Sequence, residues 1–255
     1  MHNLQLFYRY YDTLFASKDY AGEVEAVFSH CAKYPLRPLK HILEIGCGTG
    51  NHTVELAQMP GVHVTAVDID QEMLALAKSK ASQASKTNIT FVADGFAERE
   101  VDLCVALFNV VNYVCGEEHL HAFFAGIAAS LRSQGIFIFD CWNGAAALLD
   151  PPGSKNYEQH ADGLTVSCHL TSETDIANKI TSLLYRLELF DESGEKIESG
   201  YYRIEHKLWT PAQIKDALKQ ADLEVATVCI PFQFEQVATD TDWKIMFVCQ
   251  KVKAN

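Results

Sequence analysis

Three carboxylates close three successive apolar runs: Glu44 in HILEI, Asp68 in VHVTAVD and Asp94 in ITFVAD. Gly46, Gly48 and Gly50 follow Glu44 in the pattern G-x-G-x-G. Closely spaced glycines let the chain turn sharply after a strand, with backbone N–H groups open to a ligand. A carboxylate beside such a turn repels a pyrophosphate and attracts a cation. Asp68, eighteen residues after Gly50, can accept both hydroxyls of a ribose. Asp94 can accept from the exocyclic amine of an adenine. Together these groups suit a cofactor with an ammonium or sulfonium end, a ribose and an adenine. The dinucleotide fingerprint G-x-G-x-x-G would need a third glycine where Asn51 stands. The bland alternative is that each acid only caps a helix.

The acids need strands behind them. HTVELAQM, QEMLALAKSKASQ and HLHAFFAGIAASLR have helical periodicity and lie between short apolar runs that continue through VDLCVALF and GIFIFD. That alternation predicts an α/β fold, a mostly parallel sheet with helices on both faces. Residues 4–33 read as helical and aromatic-rich, until Pro35 and Pro38 break the pattern. After Asp140 the texture changes. DPPGSKN is a loop, and LTVSCHLT, KITSLLYRLELF and KIESGYYRIEHKL are strand-like, with DESG as a hairpin turn. TPAQIKDALKQAD then predicts a helix with Thr210 as N-cap and Pro211 at its first position. LEVATVCI and WKIMFVCQKV close the chain as two strands. The expected organisation is a helical lid over 1–38, a core of 39–149 and 208–255, and an antiparallel β insert over 150–207.

Composition narrows the partners. A formal net charge of −12 disfavours the phosphate backbone of nucleic acid. The eight cysteines show no C-x-x-C pair and read as buried hydrophobes in a reducing compartment. No His/Cys cluster has metal-ligand spacing, so no metal is expected. The opening MHNLQLFYRYYD lacks the pattern of a secretory signal. No apolar run reaches the ~18 residues of a membrane span. A soluble, cytoplasmic protein is the expectation.

The stretches ILEIGCGTGNHTVELA, TAVDIDQEML, FVADGF and LRSQGIFIFD, in that order, resemble the motifs of class I S-adenosylmethionine-dependent methyltransferases over residues 42–140. The resemblance implies a Rossmann-like, seven-stranded, mostly parallel sheet whose last strand is antiparallel, with S-adenosylmethionine as cofactor. It implies that Glu44 and the glycine turn hold the methionine end, and that Asp68 takes the ribose. Ile69 and Met73 would flank the adenine, Asp94, Gly95 and Phe96 its far edge, and Phe108 would lie beneath the cofactor. A narrower resemblance joins YYDTLFASKDYAGEVEAV, the antiparallel insert and HKLWTPAQI to small-molecule N-methyltransferases, especially those of nucleotide-linked amino sugars. It implies a lid that includes Tyr11 and Tyr20 and closes over the cofactor. In the sugar enzymes a histidine follows the fourth strand; Tyr113 stands there in this chain.

The acceptor is a separate question. The family resemblance implies that the segment after the fourth strand faces the transferring methyl; there, in LFNVVNYV, Asn109 is present without the Pro-Pro of methyltransferases acting on DNA bases. An alkylammonium has a pKa of about 10.4, so exposing its lone pair at pH 7 costs on the order of 4–5 kcal/mol. A histidine near ~6.5 is matched to taking that proton. His206 qualifies, because alternation in YYRIEHKL puts Tyr202, Ile204, His206 and Leu208 on one face of a strand. Asn109, Tyr113 and His206 are therefore the candidate catalytic residues, and a small-molecule amine is the expected acceptor. The alternatives are a small-molecule O-methyltransferase, a non-catalytic S-adenosylmethionine-binding module and, behind both, a nicotinamide dehydrogenase. The insert would wall the substrate site or form a homodimer interface.

Overall fold

The computed structural model describes residues 4–34, 38–93, 100–161 and 163–252. These fall into two units, one of residues 19–146 and 209–255, the other of residues 1–18 and 147–208. The first two helices, expected as one lid, divide between them. Helix α1 (Leu4–Leu14) falls in the second unit and α2 (Tyr20–Cys31) in the first. The break lies at Asp19, whose side chain caps α2 by accepting from the Gly22 N–H.

The first unit is built on an eight-stranded sheet. Its strands are β1 (His41–Ile45), β2 (His63–Val67), β3 (Ile89–Val92), β4 (Val101–Ala106), β5 (Leu131–Trp142), β10 (Leu223–Ile230), β11 (Gln233–Val237) and β12 (Lys244–Lys251), in the order β11-β10-β12-β5-β4-β1-β2-β3. Strands β3, β2, β1, β4 and β5 pair in parallel. Strand β12 runs antiparallel between β5 and β10. Seven of these strands meet the expectation. The eighth, β11, is a correction: FQFEQV adds an antiparallel edge strand beside β10. Helices α3 (Asn51–Leu56), α4 (Gln71–Gln83) and α5 (Glu117–Ser130) lie between the parallel strands, the short α6 (Gly144–Leu149) follows β5, and α7 (Pro211–Gln220) precedes β10. Thr210 and Gln213 form the capping box that starts α7, with Pro211 at its first position.

The central strands are apolar throughout because both faces are covered. On β5, Phe137 and Phe139 join one core cluster with Phe124, Trp209 and Phe247. Ile136 and Ile138 join the other with Ile42, Val64, Leu103 and Val105. Phe139 and Phe247 are register partners and stack at 5.0 Å. Each such buried ring contributes about 1.5–3 kcal/mol. At the N-terminal edge, the buried Asp102 carboxylate accepts from the Lys40 and His41 backbone N–H groups and pairs with Arg132 at 2.6 Å. That ties down the starts of β1, β4 and β5 and leaves the C-terminal ends of the strands to carry the site.

The second unit is an antiparallel sheet of four strands, β6 (Lys155–Ala161), β7 (Leu164–Asp175), β8 (Ile180–Phe190) and β9 (Lys196–Lys207), in sequential order. Strand β6 lies where the sequence reading had only a loop. The β8–β9 hairpin closes at Asp191–Gly194, where Asp191 accepts from the Ser193 and Glu195 N–H groups. Helix α1 packs on one sheet face, its Phe7 stacked on Tyr202 at 4.2 Å and its Arg9 paired with Glu198.

Candidate functional site

At the end of β1 the chain folds into a turn in which Gly46, Gly48 and Gly50 have φ of +70°, +54° and +83°. The Gly46 and Cys47 N–H groups donate to the Val67 carbonyl at the end of β2. Two of the glycines are required by neighbours as well as by φ. A Cβ on Gly46 would meet Val110 at 2.6 Å, and one on Gly50 would meet Ala77 at 2.9 Å. A Cβ on Gly48 meets nothing within 4 Å. The turn is thus packed from below and open at its middle glycine, as a cofactor lying across its backbone requires.

The acids surround this turn. Asp68 Oδ2 accepts the Gly48 N–H at 2.7 Å and Oδ1 accepts the Asp70 N–H at 2.9 Å. Burial holds the Asp68 carboxyl above its ordinary pKa in spite of those bonds. Glu44 is 2% exposed and its Oε2 accepts from the Thr53 hydroxyl. Desolvation, with a smaller contribution from the Asp68 charge, pushes its pKa up to about 8, against the lowering effect of the Thr53 bond. A cation brought beside it would favour the carboxylate and draw that pKa down. Ile69 is 86% exposed beside Asp68, while Met73 is buried in α4. Asp94, Gly95 and Phe96 lie outside the described residues.

The next crossover follows β4. Phe108 and Asn109, just past β4, both adopt left-handed φ, +72° and +65°. A 3₁₀ turn over Val110–Tyr113 follows. Asn109 is 6% exposed, and its Oδ1 is buried with no donor among the described residues. Val110 is the residue that packs under Gly46, so Asn109 stands next to the glycine turn. Tyr113 is 50% exposed.

The structure brings Glu44, the three glycines, Asp68, Met73, Phe108, Asn109 and Tyr113 together in the first unit. Tyr20 belongs to the same unit, its ring edge-on to His52 at 4.9 Å. Tyr11 belongs to the second unit, where it packs on Phe7 and Phe15. His206 also lies in the second unit. It is 4% exposed, opposite Thr181 on β8, in a row continued by the Thr174–Thr181 hydroxyl pair. The alternation expected around it holds, with Arg203 and Glu205 exposed. Sequence reasoning passed over the Glu23–His52 pair, 2.7 Å apart and nearly buried, which fastens α2 to the first turn of α3. It also passed over Asp140 and Asn112, although Asp140 closes an apolar run just as Glu44 and Asp68 do.

Residues 42–135 match a family model described as a methyltransferase domain. The chain carries a methyltransferase domain. The open glycine turn with Glu44 and Asp68 beside it fits S-adenosylmethionine, the cofactor that the sequence motifs imply. A relative from Geobacillus sp. (strain WCH70) with a provisional methyltransferase name is 34% identical over 136 residues, 51% of this chain and 54% of that protein. The match therefore spans about half of that relative's length. An S-adenosylmethionine-dependent methyltransferase from Clostridium acetobutylicum shares the fold, with a TM-score of 0.81 at 21% identity over 98% of this chain and 99% of that one. So does the sugar N-methyltransferase KedS8 from Streptoalloteichus, with a TM-score of 0.77 at 20% identity over 98% and 93% of the two chains.

The methyltransferase domain makes the middle glycine a sharp test. Gly48→Ala puts an L-residue at φ +54° without a clash, so it should cost about 1–2 kcal/mol of stability. Its added methyl enters the open space, and affinity for S-adenosylhomocysteine should fall by at least about tenfold. Gly46→Ala and Gly50→Ala should destabilise the fold by more, because Val110 and Ala77 must move. Denaturant titration together with calorimetric binding separates the two outcomes.

Proposed function

We propose that the chain methylates an amine nitrogen of a small molecule at the exit of β4, with Asn109 orienting that nitrogen. The observation that carries this reading is the buried Asn109 Oδ1, which has no donor among the described residues. A buried carbonyl oxygen left unbonded costs about 1–3 kcal/mol, and an N–H from the acceptor would satisfy it. S-adenosylmethionine supplies an electrophilic methyl on a sulfonium. The chain's contribution is then positional. The ammonium would first lose its proton to solvent, and one N–H of the resulting neutral amine held on Asn109 Oδ1 fixes the nitrogen, so that its lone pair is aimed in one direction. Orientation of this kind supplies up to about 7–11 kcal/mol of a barrier. Tyr113, half-exposed in the same 3₁₀ turn, would stand at the mouth. The likeness to a sugar N-methyltransferase over nearly the whole chain supports an amine on a small polar molecule.

A panel of nucleotide-linked amino sugars, alkylamines and matched alcohols, assayed for methyl transfer from labelled S-adenosylmethionine, tests the reading. Turnover of amines alone is the expected result. Turnover confined to alcohols would make Asn109 an acceptor for O–H and overturn the amine assignment. Tight cofactor binding with no turnover across the panel would favour a non-catalytic module. Asn109→Ala should lower kcat/KM for the amine by about 10–100-fold, one oriented hydrogen bond. S-adenosylhomocysteine affinity should stay within about threefold.

A further inference from the structure

Asn109 is held in an unfavourable backbone conformation, and the structure shows what holds it. Two consecutive non-glycine residues with left-handed φ, Phe108 and Asn109, persist only where their surroundings over-determine them. Two side chains tie this loop to the end of β5. Asp140, buried at the end of β5, accepts the Phe108 backbone N–H at 2.6 Å. Asn112, fully buried in the 3₁₀ turn, accepts the Trp142 backbone N–H at 2.9 Å. Each crossover thus caps the other. The β5 end bonds the loop after β4, and that loop bonds the β5 end. The Asn109 carbonyl accepts the Asn112 N–H at 3.0 Å, which links the second bond directly to Asn109. Trp209 Nε1 donates to the Val114 carbonyl at 2.9 Å and closes the far side of the turn.

We propose that Asp140 and Asn112 form a reciprocal clamp that positions the Asn109 carboxamide toward the acceptor. They are positioning residues; neither is a catalytic residue. The proposal rests on the amine reading for what Asn109 does, but the clamp itself is observable without turnover. Asp140 is the stronger half, because its bond is the shorter of the two and its acceptor oxygen is fixed by the end of a central strand.

The test uses the full chain saturated with S-adenosylhomocysteine and ¹⁵N-labelled at asparagine. The Asn109 side-chain amide should give one sharp resonance pair in the wild type. Asp140→Leu and Asn112→Ala should each broaden or split it. Asp140→Asn, which keeps an acceptor oxygen, should restore it. The amide of Asn88, held by the Ala57 and Val62 carbonyls in the same unit, reports general loosening and should not change. If Asn88 changes equally, or Asn109 stays sharp in both variants, the clamp is refuted. With a nucleotide-linked amino sugar as probe amine, Asp140→Leu should lower kcat/KM by about tenfold or more in the wild type. In the Asn109→Ala background it should cost less than about twofold further, because both changes remove one positioned group. Equal losses in both backgrounds would also overturn the clamp. An Asn109→Ala variant with undiminished kcat/KM would sink the role of Asn109 and leave the spectroscopic result standing. If Asp140→Leu fails to fold, Asn112→Ala carries both measurements.

Discussion

Asp68→Ala should weaken S-adenosylhomocysteine binding by about 10²–10³-fold, the largest single loss expected in the site. Two losses combine. The carboxylate is the ribose acceptor that the motif order implies, and charged hydrogen bonds contribute about 1.5–3 kcal/mol each. It also accepts the Gly48 N–H at 2.7 Å, so its removal frees the middle of the glycine turn. The free protein should suffer much less. Burial already holds the Asp68 carboxyl above its ordinary pKa, so ionised Asp68 is less comfortable in the fold than in the unfolded chain, and removing it forfeits no charge stabilisation. Thermal unfolding should show the difference. Ligand at about 100 times its Kd stabilises the wild type by about 2.7 kcal/mol. At the same concentration Asp68→Ala should show almost none of that shift, while its unliganded midpoint stays near the wild-type value. Asp68→Asn separates the contributions, since it can still accept the Gly48 N–H while losing the charge offered to the ribose. If Asp68→Ala binds S-adenosylhomocysteine within a few fold of wild type, the ribose is not placed at Asp68.

How much of this was legible before the structure follows from burial. Strands β1, β4 and β5 are covered on both faces, so HILEI, VDLCVA and GIFIFD announce themselves as continuous apolar runs. Edge strands bury too little to leave that mark. In β6 only Tyr157 and Gln159 are half-buried among exposed neighbours, and β11 is exposed at four of its five residues. The glycine turn and its two described acids were readable because glycine spacing and strand-end carboxylates are local patterns. The state of Phe108 and Asn109 was not. Nothing in LFNVVNY demands a left-handed phenylalanine, and the group that bonds its N–H, Asp140, lies 32 residues away. The Glu23–His52 pair was hidden for the same reason, its members 29 residues apart on separate helices. The separation of α1 from α2 was partly written in Asp19, a residue type that caps helices and here caps α2. The alternation that puts His206 on one face with Tyr202, Ile204 and Leu208 was legible, and that face is the less exposed one. The burial of His206 beside Thr181 is a fact about the antiparallel sheet alone.

Glu44 carries the second large effect, and its signature is a pH profile. With its pKa pushed up to about 8, Glu44 holds its proton at neutral pH in the free protein. The sign for stability follows directly. An unfolded glutamate ionises near ~4.3, so between that pH and about 8 the native state holds a proton that the unfolded state has lost. Stability from this group is full below that window and declines as pH rises through it. With the ligand's ammonium beside Glu44, as the motif order implies, cofactor binding would invert the preference and favour the carboxylate. Binding must then expel the proton, at about 1.36 kcal/mol per pH unit below 8. The affinity for S-adenosylhomocysteine should rise about tenfold per unit from pH 6 toward 8. It should then fall as the ligand's own α-amino group, titrating near ~8, loses its charge. Glu44→Gln removes the rising limb. The variant should bind far more weakly than wild type at pH 8, by about 10²-fold, and approach it at pH 6, where the wild-type side chain is also neutral. Calorimetry in buffers of different ionisation enthalpy reads the same event directly. About one proton should be released per ligand bound at pH 7 in the wild type and none attributable to this site in Glu44→Gln. A pH-independent affinity below 8 in the wild type, or parallel profiles for the two proteins, would show that Glu44 does not face the cationic end of the cofactor.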